Sequence, residues 1–208
     1  MILQQEKVSI QSLPLMEDFY TIQGEGYYQG SAAYFIRLGG CDVGCVWCDV
    51  KESWDANAHP MIAIEEMVVR AKASGTKIVV LTGGEPLMHD LSVLTEMLHV
   101  NGLRTHIETS GVYPLTGAWD WVCFSPKKFK TPHETVYLRA DELKVIVYKK
   151  SDLLWGRDIA KRVTPECQCF FQPEWSRQSE MLPWIINYIK EHPEWQVSLQ
   201  THKYMNIP

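Results

Sequence analysis

The sequence predicts an α/β fold in which a mainly parallel sheet forms a truncated, partial (β/α) barrel. Short apolar runs rich in β-branched and aromatic residues recur along the chain, and segments of helical periodicity lie between several of them. That alternation is typical of parallel strands joined by crossover helices. The stretch between residues 104–108 and 143–148 is irregular and contains Pro114, Pro126 and Pro132. Some crossovers there are therefore expected to be loops, which leaves the barrel incomplete.

The apolar runs predict strands at residues 33–38, 77–82, 104–108, 120–124, 143–148, 168–172 and 195–200. Helical periodicity predicts helices at residues 63–74, 90–101, 151–163 and 178–191. Gly75 and Gly102 end the first two helices, and Ser151 is a good N-cap for the third. In the fourth helix, Pro183 must lie in the first turn or bend the helix.

Composition narrows the class of protein. The chain has 208 residues, 46% of them hydrophobic, and a formal net charge of −5. This size predicts one domain over residues 1–208. The negative charge argues against a general nucleic-acid or membrane-surface binder, and no apolar run reaches the roughly 20 residues that span a bilayer. The first residues lack the apolar core of a signal peptide, so a cytoplasmic protein with reduced thiols is expected.

A short loop after the first predicted strand carries three cysteines, Cys41, Cys45 and Cys48, in the pattern C-x3-C-x2-C. Glycines around them allow backbone conformations through which three side chains can converge. Three thiolates can hold three irons of a four-iron cluster and leave the fourth iron open, whereas a structural zinc site needs four closed ligands. The pattern therefore predicts a metal loop, since single buried cysteines are not expected so close together.

The other three cysteines are expected to be structural. Cys123 lies within a strand-like run and is interpreted as a core residue. Cys167 and Cys169 alternate along a predicted strand and would share one face. A second metal site or a redox pair is conceivable there, but no other ligands cluster nearby in the sequence.

Polar segments follow most of the predicted strands, and in parallel α/β folds these ends gather at one site. The segments begin at Cys41, Thr82, Glu108, Ser125, Gln172 and Gln200. Any single segment is compatible with ordinary turn chemistry. Their repetition at one end of the sheet predicts one composite functional site.

The cysteine loop together with Gly83-Gly-Glu-Pro86 resembles the radical S-adenosylmethionine superfamily. Further segments, including Tyr20-Thr-Ile-Gln-Gly-Glu-Gly26, Ser125-Pro-Lys127 and Gln200-Thr-His-Lys203, resemble the 7-carboxy-7-deazaguanine synthases within it, over residues 18–208. The resemblance implies a truncated radical S-adenosylmethionine barrel, a 4Fe-4S cluster and S-adenosylmethionine. It implies radical ring contraction of 6-carboxy-5,6,7,8-tetrahydropterin to 7-carboxy-7-deazaguanine with loss of ammonia, on the route to queuosine-type deazapurines. It also implies a homodimer and a flavodoxin- or ferredoxin-type reductant.

The same resemblance assigns roles to residues. Cys41, Cys45 and Cys48 would hold the cluster. The cofactor-binding residues would be Trp47, Cys48, Asp49, Gly84, Ser125, Pro126, Lys127, Gln172, Pro173, Glu174 and Trp175. The substrate-binding residues would be Ile22, Gln23, Gly24, Glu25, Arg37, Thr82, His202 and Pro208, with the C-terminal tail closing the substrate site.

Some of these roles have structural alternatives. A guanidinium within an apolar strand is suited to gripping the substrate carboxylate, but Arg37 is also compatible with a surface salt bridge. Glu25 is equally compatible with a solvated turn, and His202 with a core histidine. Pro208 is compatible with a frayed terminus. Val50 stands where the family often has a hydroxyl that coordinates magnesium, so a magnesium requirement is expected to be weak or lost.

Two other functions remain open at this point. Activases of glycyl-radical proteins share the cysteine spacing, but they do not account for Gln23-Gly-Glu-Gly26 or the C-terminal segment. A structural zinc or electron-transfer module would need a fourth ligand, for which His59 is a candidate.

Overall fold

The computed structural model describes residues 11–208. Residues 1–10 lie outside the described residues. The expectation of no signal peptide and part of the single-domain prediction depend on them. Within residues 11–208, no helix is long and apolar enough to cross a bilayer.

Nine strands in the described part of the chain form one sheet. They are β1 (Ser12–Ile22), β2 (Ala32–Leu38), β3 (Met61–Ala63), β4 (Ile78–Gly83), β5 (Arg104–Thr109), β6 (Trp121–Phe124), β7 (Glu142–Val147), β8 (Gln168–Pro173) and β9 (Trp195–Val197). Their order is β3-β1-β2-β4-β5-β6-β7-β8-β9. The β2-to-β9 run is parallel, whereas β1 is antiparallel to both of its neighbours. The sheet does not close, which confirms the partial barrel.

The helices are α1 (Ile64–Ala73), α2 (Ser92–Val100), α3 (Glu134–Tyr137), α4 (Ser151–Ala160), α5 (Gln178–Glu191) and α6 (Thr201–Met205). Helices α1, α2, α4 and α5 are the four predicted ones. No helix lies between β5 and β6, and only the short α3 separates β6 from β7. The predicted loop crossovers are therefore confirmed in the proline-rich region.

The core lies between the helices and one face of the sheet. Met67 of α1, Leu94 of α2 and Ile185 of α5 are fully buried against strand residues such as Leu81. Because side chains alternate along a strand, the opposite face of the same strands is free to carry the polar residues of a site. Pro183 lies inside α5, in its second turn, and not in the first.

Several details differ from the prediction. Strand β1 has no counterpart among the predicted strands, because its sequence mixes Pro14, Glu17 and Asp18 with apolar residues, and a register shift between Leu15 and Glu17 breaks its alternation. The last strand ends at Val197 and not at residue 200.

Ser151 is not the N-cap of α4. It is the first helical residue, and its side chain makes no capping hydrogen bond. Asp152 instead accepts hydrogen bonds from the backbone N–H groups of Tyr148 (2.8 Å) and Lys149 (2.9 Å). Asp152 thus binds backbone N–H groups of the turn before α4, and not those of the helix's own first turn that an N-cap would bind.

Candidate active site

A cavity of about 510 Å³ opens at the carboxyl ends of the parallel strands. All but one of the predicted site residues line it: Ile22, Gln23, Gly24, Glu25, Arg37, Cys41, Cys45, Trp47, Cys48, Asp49, Thr82, Gly84, Ser125, Lys127, Gln172, Pro173, Glu174, Trp175, His202 and Pro208. The exception is Pro126, which is buried and does not reach the cavity surface. Segments distant in sequence therefore meet at one site.

The cysteine loop packs directly against the turn that follows β4. The N–H of Gly84 donates to the carbonyl oxygen of Leu38 (3.0 Å), and that of Glu85 donates to Gly40 (2.9 Å). A Cβ atom at Gly84 would lie 2.2 Å from the Gly40 oxygen and 2.7 Å from Cys41 Cβ. Only glycine allows this approach, so the glycine turn and the thiols are held side by side.

The three predicted ligands are free, half-buried thiols on the same cavity wall. Burial raises the pKa of Cys41, and burial also raises that of Cys45 against the opposing effect of the Lys127 ammonium. Among residues 11–208, no three His, Cys, Asp or Glu side chains converge on one point as ligands of a single ion would. Thiolates of a four-iron cluster each bind a different iron, so this donor set fits a cluster with one open iron.

The glycine turn is anchored from below by Glu85, which is 1% exposed. Its carboxylate accepts hydrogen bonds from Thr109 Oγ1 (2.5 Å) and from the N–H of Ser110 (2.8 Å). The segment after β5 thus fixes the turn beside the cysteines. This role was not predicted, because the Glu108-Thr-Ser-Gly111 motif is weak when considered alone.

Arg37 lies on the cavity wall beside Thr82, its register partner in β4. Its Nε atom donates to Glu17 Oε1 at 2.7 Å, and the two side chains are 20% and 45% exposed. Arg37 therefore forms a salt bridge with Glu17 and also lines the cavity. The remaining guanidinium donors are available to an anion in the cavity.

Glu25 is not a solvated turn residue. It accepts hydrogen bonds from Lys144 Nζ and from Gln200 Nε2, the latter at 2.9 Å. Burial alone would raise the pKa of Glu25, but the Lys144 ammonium outweighs it and lowers that pKa to about 2. Lys144 itself was missed by the sequence analysis, because it lies within the apolar run of a predicted strand.

The C-terminal helix α6 covers one side of the cavity. His202 is half-exposed, lines the cavity and approaches Gly24, so it is not a core histidine. Thr201 donates through its N–H (3.0 Å) and its hydroxyl (2.9 Å) to the Gly24 carbonyl oxygen. Pro208 is exposed, and its carbonyl oxygen accepts a hydrogen bond from Thr21 Oγ1 at 3.4 Å.

Cys123 is buried in β6, as predicted. Cys167 is buried just before β8 and Cys169 is half-buried within it, at the end of the strand opposite the cavity. The Cys169 thiol contacts the Cys167 carbonyl oxygen at 3.7 Å. No role in the cavity follows for this pair.

The chain is similar to proteins of known function. A profile described as the Radical SAM superfamily matches residues 35–123. The chain is 57% identical over 196 residues to 7-carboxy-7-deazaguanine synthase of Flavobacterium psychrophilum, covering 94% of this chain and 93% of the relative. It belongs to the 7-carboxy-7-deazaguanine synthase family. A second synthase, from Synechocystis, is 47% identical, with 94% of both chains covered.

The fold of this synthase family is found in a solved structure as well. The crystal structure of QueE from Escherichia coli superposes with a TM-score of 0.82 at 30% identity, covering 90% of this chain and 93% of that chain. The predicted family, enzyme class and partial radical S-adenosylmethionine barrel are confirmed. Membership in the superfamily implies a 4Fe-4S cluster and S-adenosylmethionine, which excludes the zinc module. Membership in the synthase family excludes the glycyl-radical activase.

Proposed function

We propose that this enzyme converts 6-carboxy-5,6,7,8-tetrahydropterin into 7-carboxy-7-deazaguanine with loss of ammonia, in queuosine-type deazapurine biosynthesis. One observation carries the proposal: a single cavity unites the three thiols, the glycine turn, Arg37 and the Glu25 carboxylate. The thiols and the glycine turn suit the cofactors of the family. Arg37 and Glu25 suit a substrate with a carboxylate at one end and N–H donors at the other.

Cys41, Cys45 and Cys48 would hold the 4Fe-4S cluster in this proposal, and the adjoining part of the cavity would hold S-adenosylmethionine. When bound, the two cofactors supply a carbon radical close to the substrate. Gly84 offers backbone to the amino group of S-adenosylmethionine because no side chain intervenes there. The adenosine part would lie at the strand ends around Ser125 and Gln172, where the candidate contacts are Trp47, Asp49, Ser125, Lys127, Gln172, Pro173, Glu174 and Trp175. Pro126, which is buried, would support this segment from behind.

The substrate lies between Arg37 and the C-terminal helix. The Arg37 guanidinium binds the substrate carboxylate with the donors that Glu17 leaves free. Glu25 accepts N–H donors from the pterin ring, because its depressed pKa keeps it ionised. The other residues that would surround the substrate are Ile22, Gln23, Gly24, Thr82, His202 and Pro208.

Magnesium is not required in this proposal. Val50 lines the cavity two positions after Cys48 and offers no oxygen ligand, whereas magnesium needs oxygen donors in a near-octahedral arrangement. The enzyme works as a cytoplasmic homodimer, and a flavodoxin or ferredoxin reduces its cluster. These last features rest on the resemblance to the family, and light scattering of the reconstituted enzyme tests the dimer.

Transfer of isotope from the substrate tests the chemistry. The wild-type enzyme is reconstituted and reduced without oxygen, then supplied with substrate deuterated at C6. Deuterium should appear in recovered S-adenosylmethionine, because the same hydrogen leaves the substrate and can be returned from deoxyadenosine. The control is the Cys48→Ala enzyme, which should transfer none. Formation of the deazapurine with no deuterium in recovered S-adenosylmethionine, or no deazapurine at all, contradicts the proposal.

A further inference from the structure

Lys144 occupies an unusual position for a lysine. It lies in β7, is 3% exposed and lines the floor of the cavity. Its ammonium contacts two carboxylates that also line the cavity: it pairs with Glu25 and lies 3.7 Å from Glu108 Oε1. A lysine is almost never fully buried unless it is paired, so the cluster of one ammonium and two carboxylates is a unit.

Each carboxylate is also held by one amide. Gln200 donates to Glu25 Oε1 at 2.9 Å, and Gln23 donates to Glu108 Oε1 at 3.0 Å. In the described part of the chain, Glu108 Oε2 accepts no hydrogen bond. An ionised carboxylate has about four acceptor sites, so both groups retain capacity toward the cavity.

We propose that Lys144 is a positioning residue that holds the carboxylates of Glu25 and Glu108 at the spacing needed to receive two N–H donors of one substrate edge. The inference rests on the proposed function, since the aminopyrimidinone edge of a pterin presents such adjacent donors. Arg37 grips the carboxylate at the other end of the substrate. Lys144 therefore sets the orientation of the bound substrate and does not itself touch the reacting atoms.

The charged surroundings of Lys144 define what its removal does. Glu142 lies on the same strand as Lys144, and Cys123 faces Lys144 from β6. Glu108 faces Lys144 from β5, and Glu25 faces it from the segment after β1. His202 of α6 acts on the Glu25 carboxylate. The Lys127 ammonium, in the loop after β6, repels the Lys144 ammonium. Burial opposes the charge of Lys144, but the surrounding acids outweigh it and raise its pKa well above the usual value. The lysine therefore stays charged across the working range of pH.

The sign of the pH effect follows. With Lys144 present, the Glu25 pKa of about 2 keeps the carboxylate ionised at all pH values in which the protein is assayed. Without the ammonium, burial dominates and raises the Glu25 pKa. Substrate affinity of the variant should then fall as pH falls, whereas that of the wild type stays constant.

The test compares Lys144→Met with wild type as anaerobic, reconstituted holoenzyme, with 6-carboxy-5,6,7,8-tetrahydropterin as the probe. We expect affinity for the pterin to fall about ten- to a hundredfold near neutral pH, with a larger loss at lower pH. The KM should rise while kcat at saturation changes little, and S-adenosylmethionine affinity should stay unchanged. Lys161→Met, which removes an exposed ammonium paired with Asp158, is the matched control.

A double-mutant cycle separates positioning from general stability. In a Glu25→Gln background, Lys144→Met should weaken pterin binding clearly less than in the wild-type background, because its main effect acts through Glu25. This double variant also removes both charges together and avoids an unpaired buried carboxylate if the single variant does not fold. Lys144→Arg should recover part of the affinity.

Some outcomes overturn the inference. Equal loss in both backgrounds, a pH-independent loss, or parallel loss of S-adenosylmethionine binding would each assign Lys144 a purely structural role. Pterin binding by Lys144→Met that matches wild type would also refute it. A wild-type enzyme that forms no deazapurine refutes the proposed function instead, so the two failures are distinguishable.

Discussion

Lys203 of α6 forms an ion pair with Asp49, the residue after Cys48, with 2.9 Å between Nζ and Oδ2. The same ammonium lies 5.0 Å from the ring centroid of Trp175, in the segment after β8. One side chain therefore joins the C-terminal helix to the cysteine loop and to the proposed adenosine contact. His202, its neighbour, lines the substrate side of the cavity. Helix α6 thus lies at the junction of both ligand positions.

Replacing Lys203 should weaken cofactor binding modestly. The Asp49 side chain is 59% exposed, so the pair is partly screened and contributes little more than a surface salt bridge. We expect Lys203→Met to raise the dissociation constant for S-adenosylmethionine about two- to fivefold, measured by titration calorimetry. Lys190→Met, in the last turn of α5, is the control. An unchanged constant in Lys203→Met would show that the ion pair does not support the cofactor site.

Gly84→Ala should damage the cluster site. The added Cβ would meet backbone of Gly40 and Cys41 Cβ, and neither can move away as a flexible side-chain end would. We expect iron content after reconstitution and S-adenosylmethionine affinity to fall together. Gly75→Ala is the control, because nothing lies within 4 Å of its added Cβ and only the positive φ costs about 1–2 kcal/mol. Normal iron content in Gly84→Ala would contradict the close packing of turn and loop.

Cysteine substitutions should fall into two groups. Cys41→Ala, Cys45→Ala and Cys48→Ala should each lose most of the iron and sulfide, which reach about four of each per chain in the intact cluster. Cys167→Ala should keep both, since Cys167 lies at the strand end opposite the cavity. Chemical assay of iron and sulfide, with the visible absorption spectrum, checks this. Full iron content in any of the first three would remove that residue from the ligand set.

Val50→Thr should create a magnesium response. The wild-type side chain has no ligand atom, so reconstituted enzyme that is free of magnesium is expected to turn over without added magnesium. A hydroxyl at this cavity position would offer an oxygen ligand, and added magnesium should then lower the KM for the pterin. Val93→Thr, on the exposed side of α2, is the control. Strong, saturable stimulation of the wild type would contradict the account of Val50.

Much of the parallel sheet could be predicted from the sequence, because strands such as β4 and β5 are continuous apolar runs bounded by turns. Strand β1 could not be predicted. It pairs antiparallel with β2 on one side and with the short β3 on the other, and the residues of β1 do not alternate regularly between polar and apolar. Local pattern contains no information on that pairing.

Almost all of the predicted site residues line the cavity, because short motifs carry them. The roles of Lys144 and Glu85 were missed because both depend on contacts with residues distant in sequence. Lys144 acts through Glu25 and lies in no motif. Glu85 lies in the Gly83-Gly-Glu-Pro86 motif, but the motif does not reveal its contact with Ser110. Their position becomes visible only when the strand ends are brought together.

Anaerobic turnover with 6-carboxy-5,6,7,8-tetrahydropterin tests the central claim most directly. Reconstituted, reduced enzyme with S-adenosylmethionine should release 7-carboxy-7-deazaguanine, identified by mass, together with ammonia. S-adenosylmethionine should not be consumed in proportion to product, because it is regenerated. Cleavage of S-adenosylmethionine without any deazapurine, under conditions in which the cluster is intact and the pterin is bound, would contradict the account.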